Sequence, residues 1–141
     1  MKIKIFALTH KKFEVPQDKM YQPLQVGREE KEDLGYLCDN TGDNISAENC
    51  YYSELTGLYW IWKNVHAYKY VGTCHYRRYL LNEQEKIFTE TEYLELLKDY
   101  DLITTKRVVL NNSYHYGFAT NHNIHALDMT GEVIKELYPE Y

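Results

Sequence analysis

The fold is decided by residues 70–79, which read YVGTCHYRRY. The first five residues are predicted to form a short buried strand that ends where the cationic run of His75, Arg77 and Arg78 begins. If the run is extended, His75 and Arg77 share one face and Arg78 takes the other. Guanidinium groups match phosphate oxygens in charge and in geometry. The segment therefore predicts an anion site, with pairing to local carboxylates on a surface loop as the alternative.

The composition is that of one folded domain spanning residues 1–141. Hydrophobic residues make up 44% of the 141 residues and charged residues 26%, which is typical of a globular protein with a core. The net charge of -5 leaves no broad basic face, so we expect no nucleic-acid partner and only a local anion site. The 15 tyrosines suit core packing and can also stack against sugars and bases.

The cysteines and the apolar runs bear on metal binding and location. Cys38, Cys50 and Cys74 are widely spaced, so no zinc or redox motif is expected. An odd cysteine count without a secretion signal favours a reduced, cytoplasmic protein. Because no apolar run is long enough to span a bilayer, we expect at most peripheral association with the inner face of the cytoplasmic membrane.

A second set of candidate site residues follows the first predicted strand. Residues 3–8 are continuously apolar, which predicts a central strand of a parallel sheet. His10 and Lys11 come directly after it. In open α/β sheets, ligands bind beyond the carboxyl ends of the strands. These two side chains are therefore site candidates by position, with a solvated turn as the alternative.

A third set precedes the strongest predicted helix. Residues 39–46, DNTGDNIS, are rich in turn formers and helix caps, and they lead into a helix predicted over residues 47–66. The start of a helix favours anions and hydroxyl-rich ligands. Capping by Asn44 or Ser46 alone is the alternative.

The predicted helix carries an apolar stripe that we expect to face the core. Trp60 is predicted to point the other way, and Glu54 to project into the apolar arc. A buried carboxylate needs a partner, and Arg77 or Arg78 is the nearest candidate in sequence. The stripe comprises Tyr51, Leu55, Leu58, Tyr59 and Trp62, and Ile61 and Val65 widen it.

The rest of the chain alternates between helix and strand. Thr89 and Glu92 form a predicted capping box for a helix that ends near residue 98. Residues 102–104 are predicted to form a strand and residues 111–123 a loop, and Asn123 is predicted to start a helix over residues 124–137. This alternation predicts an α/β layered fold with a mainly parallel sheet.

Several short motifs, in a fixed order along nearly the whole chain, carry a resemblance to a known family. The chain resembles bacterial proteins of largely unknown function that are often described as capsular or exopolysaccharide biosynthesis glycosyltransferases. Family members usually run longer, so we expect this chain to be the amino-terminal part of a longer domain, incomplete at its C-terminus. The motifs are Thr9-His10-Lys11, Gln25-Val26-Gly27, residues 39–46, Asn49, Glu54-Leu55-Thr56, Tyr59-Trp60, Trp62-Lys63-Asn64, Gly72 and His75-Tyr76-Arg77-Arg78-Tyr79.

The resemblance implies a Rossmann-like, GT-A-type glycosyltransferase that uses a nucleotide-sugar donor. Uridine-diphosphate hexoses are the expected donors, and a saccharide or lipid-linked saccharide is the expected acceptor. In many such enzymes an aspartate-x-aspartate metal motif follows the helix and strand, but His75-Tyr76-Arg77 stands there instead. Cationic side chains can replace the metal by holding the diphosphate as the glycosidic bond breaks. We therefore expect metal-independent transfer, with no cofactor beyond the donor.

Site roles follow from these positions. His75, Arg77 and Arg78 are expected to bind the diphosphate, and Glu54 to orient an arginine. Residues expected to contact the nucleotide and sugar are His10, Lys11, Asp39, Asn44 and Asn49. No general base is evident; the weak candidates are His115, His122 and Asp128.

Two alternatives to an enzyme remain open from the sequence. The chain can be a non-catalytic nucleotide- or phosphosugar-binding module, or a structural interaction protein whose arginines only stabilise the fold. The chain can also form a homo-oligomer.

Overall fold

In the computed structural model, which describes residues 2–109 and 111–140, a four-stranded parallel sheet organises the first part of the chain. The strands are β1 (Ile3–Thr9), β2 (Tyr21–Gln25), β3 (Leu37–Cys38) and β4 (Tyr70–His75). They lie in the order β3-β2-β1-β4, and every pair is parallel. The prediction that residues 3–8 form a central strand is confirmed. The predicted α/β fold is confirmed as well.

The chain divides into two compact units, Met1–Ile103 and Thr104–Tyr141, and each unit contains its own helices. The first unit contains α1 (Asn49–Tyr52), α2 (Leu55–Asn64) and α3 (Glu90–Leu96), with short 3-10 helices at Arg28–Glu30 and Ser46–Glu48. The second unit contains α4 (Tyr114–Ala119) and α5 (Ile124–Leu137). Each unit is described by itself.

Apolar clusters cover both faces of the sheet, and β1 contributes to both of them. Phe6 and Leu8 point to one side, where they pack with Trp60 and Ile61 of α2. Ile3 and Ile5 point to the other side, where they pack with Tyr93 of α3. Because β1 is buried on both faces, its sequence is continuously apolar rather than alternating. β4 is an edge strand with Val71 and Thr73 exposed, so the prediction of a fully buried strand was wrong.

The helix predicted over residues 47–66 is broken. α1 ends at Tyr52, because the next residue, Ser53, has a φ of 51°, and α2 begins at Leu55. A positive φ is uncommon outside glycine and interrupts a right-handed helix. Asn49 stabilises the break, since its Nδ2 donates to the Ser53 carbonyl at 2.6 Å.

The face of α2 that packs on the sheet is opposite to the main part of the predicted stripe, although Ile61 and Val65 at the edge of that stripe do pack on the core. Thr56, Gly57, Trp60 and Ile61 are buried, whereas Trp62 is 67% exposed. A Cβ atom on Gly57 would lie 2.7 Å from Val26 Cγ1 and 2.9 Å from Leu8 Cδ2. The helix therefore approaches the sheet too closely for a larger residue at position 57. For this reason the face of α2 that carries small residues is the one that packs on the sheet. The side chains of the predicted core stripe that are instead exposed are Tyr51, Leu55, Leu58 and Trp62.

Elsewhere the sequence predicted some elements and missed others. Thr89 and Glu92 form the predicted capping box, and Asn123 caps α5 by accepting from the His125 N–H at 3.1 Å. Residues 102–104 are not a strand. The predicted loop over residues 111–123 contains α4, which Ser113 caps by accepting from the Tyr116 N–H at 3.2 Å.

Candidate anion-binding site at the carboxyl edge of the sheet

The ends of β1 and β4 place the two predicted cationic segments side by side. Leu8 of β1 lies opposite His75 of β4. The Tyr76 N–H donates to the Leu8 carbonyl at 3.1 Å, which extends the pairing one residue further. The segment that starts at His10 and the segment that starts at His75 therefore leave the same edge of the sheet.

The chain turns tightly after β4 instead of continuing as an extended strand. The Arg78 N–H donates to the His75 carbonyl at 2.9 Å, and the Arg77 N–H donates to His75 Nδ1 at 3.2 Å. The run is therefore not extended beyond His75, so the alternation of His75, Arg77 and Arg78 that an extended run would give does not apply.

His75 takes the place that the sequence predicted for an arginine. Its Nε2 lies 3.4 Å from Glu54 Oε1, so the expected pair between Glu54 and Arg77 or Arg78 is replaced by a His75–Glu54 pair. Glu54 was predicted to be in the apolar arc, but its side chain is 48% exposed. Because Nδ1 accepts from the Arg77 N–H, the neutral imidazole carries its proton on Nε2, the nitrogen that lies nearer to Glu54.

Burial of the imidazole lowers the pKa of His75 below its usual value. The Glu54 carboxylate opposes this shift, while the nearby charges of Arg77, Arg78 and His10 add to it. These surroundings therefore favour the neutral form of His75 over the charged form.

The cations of this edge are open to solvent. His10, Lys11, Lys12, Arg77 and Arg78 are all exposed. Among the side chains that the structure describes, no carboxylate oxygen lies within 4.0 Å of either arginine of this group, of Lys11 or of Lys12. An anion from solution could therefore approach them without displacing a carboxylate.

Tyr76 stands among these cations, and sequence reasoning missed it. Its ring lies 5.0 Å from the Arg77 guanidinium carbon and 5.6 Å from Lys11 Nζ. The centroid of the Tyr76 ring lies 4.3 Å from that of His75, 5.5 Å from that of His10 and 5.7 Å from that of Phe13. The sequence does contain a signal, because Tyr76 stands between a histidine and an arginine at the end of a predicted strand. Most tyrosines of the chain suit core packing, and this position does not differ from them in residue type.

Asp39 organises the neighbouring part of the same edge, after β2 and β3. It is fully buried, and its two carboxylate oxygens accept four hydrogen bonds. The backbone N–H groups of Gly27 and Arg28 donate at 2.8 and 3.1 Å. The hydroxyls of Ser46 and Thr56 donate at 2.6 and 2.7 Å. Asp39 therefore joins the β2 loop, the 3-10 helix at Ser46–Glu48 and α2, and its oxygens are taken up by protein donors.

Asn44 and Asn49, the other candidates in this part, also support the loops. Asn44 Oδ1 accepts from the Ser46 N–H at 3.1 Å, and its Nδ2 donates to the Gly42 carbonyl at 3.0 Å. Asn49 Oδ1 accepts from Lys31 Nζ at 2.9 Å. The Asn49 side chain packs against Gly27, where φ is 64° and a Cβ atom would overlap it. Both asparagines remain half-buried.

The structure thus sorts the predicted residues into three places. One group at the ends of β1 and β4 includes His10, Lys11, Glu54, His75, Arg77 and Arg78. A second group, Asp39, Asn44 and Asn49, lies in and after the loops that follow β2 and β3. The general-base candidates His115, His122 and Asp128 lie in the second unit, where His115 Nε2 is 3.9 Å from Asp128 Oδ1 and both side chains are exposed.

The part of the chain that the structure describes has neither a metal-binding cluster nor a helix that could span a membrane. Within residues 2–109 and 111–140, no three His, Cys, Asp or Glu side chains gather closely enough to hold a metal ion. No helix in the same ranges is long and apolar enough to cross a membrane.

The chain has the architecture of an open parallel α/β protein. Exposed cations lie at the carboxyl edge of its sheet, which is where ligands bind in this class of fold. Residues 4–141 match the family described as "Domain of unknown function (DUF4422)", and the chain belongs to that family.

The fold is also similar to a solved glycosyltransferase. The structure described as "WbbM bifunctional glycosytransferase apo structure" matches with a TM-score of 0.75 and 26% sequence identity. The match covers 100% of this chain and 30% of the other, so the chain spans less than a third of that protein's length. No curated protein matches the chain. The glycosyltransferase-like fold predicted from the sequence is confirmed.

The pH response of His75 provides a test of the local electrostatics. We expect its imidazole to titrate below the usual value of about 6.5, because burial disfavours the charged ring. Glu54→Gln should lower the pKa further, and Arg77→Gln should raise it. Since the unfolded chain takes up the proton more readily, the stability of the fold should fall as the pH drops below about 6.5. Histidine NMR titration of the three proteins measures these shifts, and a rise on Glu54→Gln would contradict the His75–Glu54 pair.

Proposed function

We propose that the chain is the donor-binding part of a glycosyltransferase that moves a sugar from a nucleotide diphosphate to a growing capsular, exo- or lipopolysaccharide acceptor. The observation that carries the proposal is the group of exposed cations at the ends of β1 and β4, which lacks carboxylate partners within the described residues. The glycosyltransferase-like fold supports the choice of reaction.

In this proposal, each part of the edge has a role. Arg77 and Arg78 bind the diphosphate with His75 beside them, and His10 and Lys11 contact the base, the ribose or a phosphate. Asn44 and Asn49 border the nucleotide and sugar, while the four hydrogen bonds of Asp39 hold these loops in place. Glu54 orients the imidazole of His75 rather than an arginine.

The proposed chemistry needs charge stabilisation more than a covalent group on the protein. The bond between the sugar C1 and the diphosphate oxygen breaks, and its electron pair stays on the leaving diphosphate. The acceptor hydroxyl forms the new bond to C1 and releases its proton to the solvent. Arginines placed at the diphosphate stabilise the charge that grows there, which is the task of a metal ion in related chemistry. We therefore propose transfer without a metal ion, on a uridine-diphosphate sugar.

Calorimetric titration with uridine diphosphate tests the donor site directly. We expect binding in the presence of a chelator and no strengthening by manganese, because the cations are supplied by the chain. Binding that requires manganese would reject the metal-independent part of the proposal. No binding by a folded wild-type chain would reject the donor site itself. Uridine diphosphate binding without sugar transfer would favour the non-catalytic module.

A further inference from the structure

The hydroxyl of Tyr76 is the unusual polar group of this site. Tyr76 is 5% exposed, and its hydroxyl is buried with no hydrogen-bond partner among the residues that the structure describes. Buried hydroxyls nearly always have a partner, and each exception in a native structure calls for an explanation. A buried donor left unpaired destabilises a fold, so packing alone would favour phenylalanine here.

The ring that carries this hydroxyl is surrounded by side chains of the cationic group. The side chains of His10, Lys11, His75 and Arg77 all lie between 4.3 and 5.6 Å from the ring centroid. Arg77 and Lys11 are exposed and lie within cation–π distance of the ring. Both have only this aromatic contact and no carboxylate within the described ranges, so they can shift towards an incoming anion.

We infer that Tyr76 is a further binding residue, whose hydroxyl donates a hydrogen bond to a phosphate oxygen of the bound nucleotide diphosphate. The ring keeps Lys11 and Arg77 near that position before the ligand arrives, which reduces the ordering cost of binding. This inference rests on the proposed function. It explains why a tyrosine occupies a position where the folded chain itself offers the hydroxyl no partner.

Tyr76→Phe separates this role from a structural one, because it keeps the ring and removes only the oxygen. We expect uridine diphosphate to bind about 3- to 10-fold more weakly, since a hydrogen bond to a charged group is lost. The midpoint of urea unfolding without ligand should stay unchanged or rise. Inorganic pyrophosphate should lose affinity by a similar factor, because the contact is to phosphate.

Tyr21→Phe is the matched control. Tyr21 is also 5% exposed, but its hydroxyl donates to the Phe88 carbonyl at 3.4 Å on the α3 side of the sheet. This variant should lose some stability and keep the wild-type affinity for uridine diphosphate. The two tyrosines should therefore show opposite patterns.

The outcomes are distinguishable. If the wild-type chain binds uridine diphosphate and Tyr76→Phe binds it equally well, the inference is wrong and the proposed function stands. If Tyr76→Phe weakens uridine diphosphate but not pyrophosphate, the hydroxyl contacts the nucleoside, which also overturns the inference. If the wild-type chain binds neither ligand, both the inference and the proposed function are rejected.

Discussion

Asp39→Ala is expected to lower the free energy of unfolding by about 3–5 kcal/mol, because a buried carboxylate that accepts four hydrogen bonds is removed. The hydroxyls of Ser46 and Thr56 can rotate to other acceptors. The backbone N–H groups of Gly27 and Arg28 cannot, and each unpaired buried donor costs about 1–3 kcal/mol. Urea unfolding followed by tryptophan fluorescence measures the loss, since both tryptophans lie in α2.

Asp39→Asn should fall between Asp39→Ala and the wild type. The amide keeps one acceptor oxygen, but its NH₂ group must then face the N–H of Gly27 or of Arg28, donor against donor. The expected loss is about 1–3 kcal/mol. Asp101→Ala, at an exposed position, serves as the control and should change stability by about 0.5 kcal/mol or less.

A contrary result would be informative about the balance of two opposing terms. Burial of a carboxylate carries a desolvation cost, and four donors must offset it for Asp39 to stabilise the fold. If Asp39→Ala were as stable as the wild type, the desolvation cost would equal the gain from the hydrogen bonds. Asp39 would then serve to fix the loop geometry rather than to stabilise the fold.

The sheet edge was predictable from the sequence because it depends on a rule of topology. Residues 3–8 and 70–74 were predicted to be strands, and carboxyl ends of neighbouring parallel strands meet at one edge. That rule places His10 and Lys11 at the same edge as His75 and Arg77, whereas the direct pairing of β1 with β4 is seen in the structure and was not predicted. It carries no information about the turn after β4, which is why the partner of Glu54 was predicted to be an arginine instead of His75.

The buried face of α2 was not predictable from hydrophobic periodicity, for a physical reason. The periodicity weights large apolar side chains, and the larger stripe includes Leu55, Leu58 and Trp62. Close packing on the sheet instead selects Gly57, whose missing side chain lets the helix approach Leu8 and Val26. The backbone break at Ser53 adds to the error, since no glycine or proline marks it.

Arg77→Ala is expected to weaken uridine diphosphate binding by about 10- to 100-fold, because hydrogen bonds to charged groups contribute about 1.5–3 kcal/mol each. Arg77 is exposed, and its guanidinium contacts the Tyr76 ring without a carboxylate partner in the described residues. The substitution should therefore leave the fold intact. Calorimetric titration gives the affinity, and urea unfolding checks the stability.

Arg77→Lys distinguishes charge from geometry at the same position. Lysine keeps the positive charge but cannot form the two parallel bonds of a guanidinium group, so an intermediate affinity is expected. Lys98→Ala removes an exposed cation whose Nζ lies 2.6 Å from Glu95 on the α3 side, and it should bind as the wild type does. If Arg77→Ala were folded and bound uridine diphosphate as tightly as the wild type, Arg77 would have no contact with the diphosphate. The arginine would then act only through its packing on Tyr76, and it could not take the place of a metal ion in stabilising the leaving diphosphate.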